Sequence, residues 1–186
     1  MRRGSQDTGE SVQAMREKIV RKHIVKILVL GLAAWWMLPA AAQNRAEGKL
    51  EVDGKPVAIT QVYAYAKEGF FDKKKQDVVV LLCDGAVPAP AVRDVFAYKD
   101  LIATGKVHCV RQTIDADKQV INFDVGHQRF GSMGENGGST EHVFEAQTFD
   151  GKAIAGRART KGPQKSFKDV PYTYDITFSA AIEPKK

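Results

Sequence analysis

The sequence predicts an all-β fold: an antiparallel sandwich or a flattened barrel of seven or eight strands, with one α-helix (about 90–104) packed on it. Three observations carry this reading. Runs of alternating apolar and polar residues recur from Gly48 to Ala180, the period-two signature of half-buried strands. Turn pairs such as Asp53-Gly54 and Asp150-Gly151 separate the runs, and these residues tolerate the positive φ of tight hairpins. Helical spacing of apolar residues is confined to one stretch, Pro90 to Thr104.

In chain order, Leu50 and Val52 lead into Asp53-Gly54, and Pro56 to Lys67 returns as one alternating run carrying Val57, Ile59, Tyr63 and Tyr65. Glu68 to Gln76 (EGFFDKKKQ) reads as a solvated lysine loop that Phe70 and Phe71 pin to the core. Asp77 to Cys83 (DVVVLLC) is apolar on both parities, as a central strand covered on both faces or a strand end tucked under a helix would be. The helix has Pro90 in its first turn, Val92, Val95, Phe96 and Ile102 near one stripe, and Gly105 as its stop.

Next, Lys106–Ile114 and Gln119–His127 flank Asp115-Ala116-Asp117-Lys118. A symmetric turn there pairs Val110 with Phe123, Gln112 with Ile121 and His108 with Val125 on an inner face. Arg111, Thr113, Asn122 and Asp124 then fall on a solvated face. Gly131 to Thr140 (GSMGENGGST) reads as a hairpin loop, since its glycines follow no phosphate-binding spacing and no helix follows them. Glu141–Phe149 and Lys152–Thr160 form a hairpin around Asp150-Gly151, Lys161–Lys168 is a basic solvated loop, and Tyr172 to Ala180 alternates cleanly as the last strand.

Ahead of this domain, Arg16 to Ala42 reads as a secretory signal peptide. Arg16, Lys18, Arg21, Lys22, His23 and Lys26 form its basic front, Ile27–Met37 its apolar run, and Pro39 precedes the small residues Ala40, Ala41 and Ala42. Cleavage is expected between Ala42 and Gln43, and Met15 is read as the true start. The alternative is a retained anchor, which a proline-containing uncharged stretch from Ile27 to Ala42 fits poorly. The expected organisation is therefore an extension and leader over 1–42 and a single β-rich domain over 43–186. The mature chain would be secreted or periplasmic, with membrane contact only through the leader before cleavage.

The leader also holds much of the charge. The chain carries 28 basic and 22 acidic side chains; removing the 7 and 3 in residues 1–42 leaves 21 against 19. That small excess predicts no nucleic-acid partner, which requires a clustered basic face.

Cys83 and Cys109 make an even pair in an exported chain, where a disulfide is admissible. Two separate apolar thiols are equally compatible with the spacing. The segment YAYAKEGFFDKKKQDVVVLLCD (63–84) and the ending YTYDITFSAAI (172–182) resemble an uncharacterised domain of exported bacterial proteins over most of residues 48–182. The resemblance implies export and one compact unit, and it brings no site residues.

Chemistry-bearing residues are sparse. His108 and His127 fall on one face of adjacent strands, where two imidazoles could share a metal if Glu145 or His142 supplied a third ligand. Otherwise they are ordinary core and strand-end histidines. Ser132, Ser139 and Ser166 lie in loops outside any nucleophile motif, and Asp115, Asp117 and Asp150 are explained by their turns. Tyr63, Tyr65, Phe123, Tyr172, Tyr174 and Phe178 either fill the core or line a ligand cavity. The leading functional reading is a non-enzymatic exported binding or structural domain with no predicted cofactor. The alternatives are a metal-dependent or hydrolytic enzyme using His108 and His127, and a carrier of a small apolar ligand.

Overall fold

The computed structural model describes residues 44–131, 133–138 and 140–185. The expected leader, the expected cleavage junction at Ala42/Gln43, Ser132 and Ser139 lie outside them. The described residues form β1 (Arg45–Val52), β2 (Lys55–Ile59), β3 (Gln61–Glu68), β4 (Gln76–Cys83), α1 (Ala89–Arg93), α2 (Val95–Ala103), β5 (Cys109–Ile114) and β6 (Val120–Gly126). There follow β7 (Glu135–Gly137), β8 (His142–Phe149), β9 (Ala153–Thr160), β10 (Gln164–Lys165) and β11 (Pro171–Glu183). The eleven strands join one mostly antiparallel sheet in the order β2-β1-β11-β3-β4-β5-β6-β7, with β9 and β10 also on β11 and β8 beyond β9. The exception is the parallel meeting of β11 with β3, at Ile182–Ala64 and Glu183–Tyr65.

Strand β11 organises the sheet. Its alternation buries Tyr172, Tyr174, Ile176, Phe178, Ala180 and Ile182 on one face, while β1 and β9 flank it on either edge. These side chains join Leu50, Phe144 and Ile154 from its neighbours and Val62, Val80, Leu82, Val110, Phe123 and Val125 from β3–β6 in a single buried cluster. Burying each large side chain there stabilises by ~1.5–3 kcal/mol relative to exposure. The opposite face of β3–β5 holds a second cluster, in which Val79 and Leu81 meet Val92, Tyr98 and Ile102 from the helices. β4 is consequently buried from Asp77 to Cys83, as its two-sided apolar pattern predicts.

Several expectations are corrected by long-range contacts. The return run from Pro56 to Lys67 divides at Thr60 into β2 and β3, because β2 pairs with β1 while β3 pairs with β4 and β11. The short strands β7 and β10 arise from segments expected to be loops, so the strand count exceeds eight. The expected single helix breaks at Asp94, whose backbone is extended and whose carboxylate accepts the N–H groups of Phe96 and Ala97. This N-cap starts a new helix rather than continuing the old one.

In the β5–β6 hairpin, Val110 pairs with Val125 and Gln112 with Phe123, two residues from the symmetric register. Asp115 accepts the N–H groups of Asp117 and Gln119, and the pairing shifts between Thr113 and Ile114. A bulge absorbs the extra residue, and the inner face keeps its predicted parity. The outer face is only partly solvated: Asn122 is exposed and Arg111 half-buried, but Thr113 and Asp124 are buried, and Asp124 lies 3.5 Å from Lys99 on α2. Burial raises the Asp124 carboxyl pKa, with Lys99 and Arg111 pulling it back.

A second bulge, between Ala146 and Thr148, explains how Phe144 and Phe149, of opposite parity, come to lie 6.4 Å apart. Gly156 sits opposite that bulge with positive φ, where a Cβ would overlap the Glu145 carbonyl. Phe70 and Phe71 do not pin their loop to the core; they are 66% and 76% exposed.

Candidate functional site

Two histidine settings result from this sheet. The first lies at the C-terminal end of β4 and the start of β5, where Cys83 and Cys109 are directly opposite and form a disulfide bond. One residue beyond the bond on each strand are Asp84 and His108. Asp84 Oδ1 accepts the His108 backbone N–H (2.8 Å) and Oδ2 lies 2.7 Å from His108 Nδ1. A carboxylate accepts only, so in the neutral ring Nδ1 carries the proton and Nε2 is left as an acceptor. The His127 ring stacks against His108 with centroids 4.5 Å apart, and its Nδ1 accepts the Arg129 N–H. Burial first, then the neighbouring His108 and Arg129, lowers the His127 pKa to about 4.

The predicted pairing of His108 with His127 therefore occurs, but the additional ligands named from sequence lie elsewhere. Glu145 is ion-paired with Arg159 and His142 is in the core. Among the described residues no group of three or more His, Cys, Asp or Glu is placed to hold a metal. Ser166 is buried and accepts the N–H groups of Lys168 and Val170, which gives it a turn-forming role. Asp115 and Asp150 likewise hold their turns, and Asp117 lies 3.5 Å from Lys75.

The second setting is built around His142. Its ring stacks flat on Phe123 at 3.6 Å between centroids, with Nδ1 2.8 Å from the Tyr174 hydroxyl and Nε2 3.3 Å from that of Tyr172. Gln112 Nε2 donates to the Tyr174 hydroxyl (2.9 Å). Desolvation lowers the His142 pKa to about 4 and raises those of both tyrosines, so all three are neutral near pH 7. Counting donors then orders the chain: Tyr174 accepts from Gln112 and donates to His142 Nδ1, and Nε2–H donates to Tyr172. With Gln112 Nε2 as the donor to Tyr174, the reverse order would leave the deeply buried Tyr174 proton without an acceptor. Among the described residues, Gln112 Oε1 has no hydrogen-bond partner.

His142 also forms the inner wall of a cleft of about 600 Å³ between the start of β6 and the start of β8. Val120, Val143 and Phe144 line it with apolar surface, and Lys118 and Lys161 are the charged residues among those described around it. Of the aromatic set singled out from sequence, Phe123, Tyr172, Tyr174 and Phe178 belong to the central cluster and Tyr65 to the helix-side cluster. The Tyr63 hydroxyl accepts the Val87 N–H. Asp84, Lys118 and Lys161 are the residues sequence reasoning did not single out. Asp84 had a signal, because extending a Cys83–Cys109 pairing by one residue sets it opposite His108. The lysines had none, since they come together only through the fold.

No protein-family model, curated protein or solved structure matches this chain.

Proposed function

We propose that this is an exported, non-enzymatic binding domain, akin to the exported bacterial domains it resembles, and that its ligand is a small organic acid. On this reading the fold is a sandwich left open between β6 and β8, and the opening is the binding cleft. The observation that carries the proposal is the composition of that cleft: an apolar floor of Val120, Val143 and Phe144 beside a neutral His142, with Lys118 and Lys161 at its edge. Its volume of about 600 Å³ is within the range of small-molecule sites. An apolar body on the floor with a carboxylate toward the lysines satisfies both surfaces, whereas a purely apolar carrier would leave the two cations unused.

Calorimetric titration of the protein with octanoate and with octanol tests this. Octanoate is expected to bind and octanol to bind more weakly. Replacing both lysines by glutamine should bring the two ligands to similar affinity. No octanoate binding, or equal affinity for both ligands in the parent protein, would refute the assignment.

A second reading is supported by one specific contact. The Asp84–His108 hydrogen bond orients an imidazole with a free Nε2 acceptor, the arrangement that serves general-base hydrolysis. Zinc titration and ester hydrolysis, each compared with His108→Ala, separate this reading from the first. Stoichiometric zinc or esterase activity lost in the variant would favour the enzyme.

A further inference from the structure

We propose that the tip between β3 and β4 is a membrane-contact element that sets Phe70 and Phe71 among the headgroups of an anionic phospholipid bilayer. The tip holds two adjacent large apolar side chains in water, 66% and 76% exposed, whose rings meet edge to face 5.0 Å apart. Phe96 and Phe167 are also exposed, but neither has a ring contact with another aromatic among the described residues.

The exposure is built into a well-braced turn. Gly69 N–H donates to the Lys75 carbonyl and Lys75 N–H to the Asp72 carbonyl, while Asp77 accepts the Phe70 N–H and Asp72 the Lys74 N–H. A Cβ at Gly69 would overlap the Asp72 carbonyl, so this closure requires glycine. The rings are thus held outward by the same bonds that close the hairpin. Transfer of such rings out of water is favourable, and a preformed tip makes it without an ordering cost.

Charge identifies the surface that would receive them. Lys73, Lys74 and Lys75 follow the two rings directly. Within the exposed turn 70–75 these three lysines meet one acid, Asp72; Asp72 and the buried Asp77 hold backbone N–H groups of the turn, and Glu68 is paired with Lys73 and Lys185. Lys75 reaches Asp117 of the neighbouring β5–β6 turn, and among the described residues the Lys74 ammonium has no acidic partner. Two aromatic rings beside a lysine run match an interface of anionic headgroups over acyl chains. Because Lys118 belongs to that β5–β6 turn and lines the β6–β8 cleft, the tip and the cleft share one end of the sheet.

The test uses the full chain with vesicles of mixed phosphatidylglycerol and phosphatidylcholine, and with phosphatidylcholine alone. Since the leader is itself apolar, the primary readout is specific to the tip: fluorescence of Phe71→Trp, with the parent spectrum subtracted, in vesicles carrying brominated acyl chains. Quenching in the anionic vesicles is expected. Co-sedimentation with them should fall roughly tenfold in Phe70→Ser/Phe71→Ser, and Lys73→Gln/Lys74→Gln/Lys75→Gln should abolish the preference for phosphatidylglycerol. Absence of quenching at position 71, or unchanged co-sedimentation of the serine variant, would overturn the proposal. So would a dimer in sedimentation velocity that the serine variant dissolves, which would make a second copy the occupant of the tip.

Discussion

His127 and His142 have pKa values lowered to about 4, yet their surroundings differ. His142 is buried between the core and the β6–β8 cleft, stacked on Phe123 and held by two tyrosine hydroxyls. His127 leans on His108 at the rim, where a disulfide one residue from His108 ties the ends of β4 and β5. The core setting depends on hydrogen bonds among buried groups, whereas the rim setting has a covalent tie between β4 and β5 beside partly exposed groups. Similar titration behaviour therefore has two causes: desolvation alone for His142, and desolvation reinforced by a neighbouring ring for His127.

The largest effect should come from removing the tie. Cys83→Ser/Cys109→Ser opens a disulfide spanning 26 residues in sequence and is expected to cost about 3 kcal/mol, measured by guanidinium unfolding against the oxidised parent. An unchanged midpoint would show that the rim does not depend on the bond. Tyr174→Phe should follow at about 2 kcal/mol, because it strands Gln112 Nε2 and His142 Nδ1 in the core. Tyr172→Phe should cost less, its bond to His142 being the longer one. If the two variants are equally stable, Tyr174 is not the more heavily bonded member of the network.

Acid sharpens the contrast. For both histidines the native pKa is below the unfolded value near 6.5, so the unfolded chain takes up protons first and stability falls as pH drops. Their contribution is complete above about pH 6.5 and is lost progressively down to about pH 4. Each group adds a slope of at most ~1.4 kcal/mol per pH unit. His142→Gln should remove one such slope, and His127→Gln a smaller one because its ring is closer to water. Equal slopes in His142→Gln and the parent would contradict burial of a neutral ring. The smallest effect is expected from Asp84→Asn, about 1 kcal/mol, since the amide can still accept the His108 backbone N–H.

Much of this architecture was legible residue by residue. Asp53-Gly54 predicted its hairpin, and both residues take positive φ. Asp150-Gly151 predicted the β8–β9 turn, and the alternation of Tyr172 through Ala180 predicted a strand with one buried face. The inner parity of Val110, Gln112, Phe123 and Val125 was also readable, although their register was not. A side chain such as Asp115 can redraw a turn and shift pairing without altering the alternating pattern. Gly131–Thr140 concealed β7 because a three-residue strand has too little periodicity to recognise. The rim pair was half legible, through His108 and His127, whereas the cleft lysines belong to segments far apart in the chain.

By itself, then, the sequence determined most of the longer strands, most turns and one apolar face on many of the strands, because φ/ψ preferences and a two-residue period are local properties of the chain. The tertiary structure decided what covers each face. It set α2 over Asp124, gathered Gln112, Tyr174, His142 and Tyr172 into one chain of hydrogen bonds, and left Phe70 and Phe71 in water. Those outcomes depend on pairing between segments distant in sequence, and no local pattern states which surface will meet which.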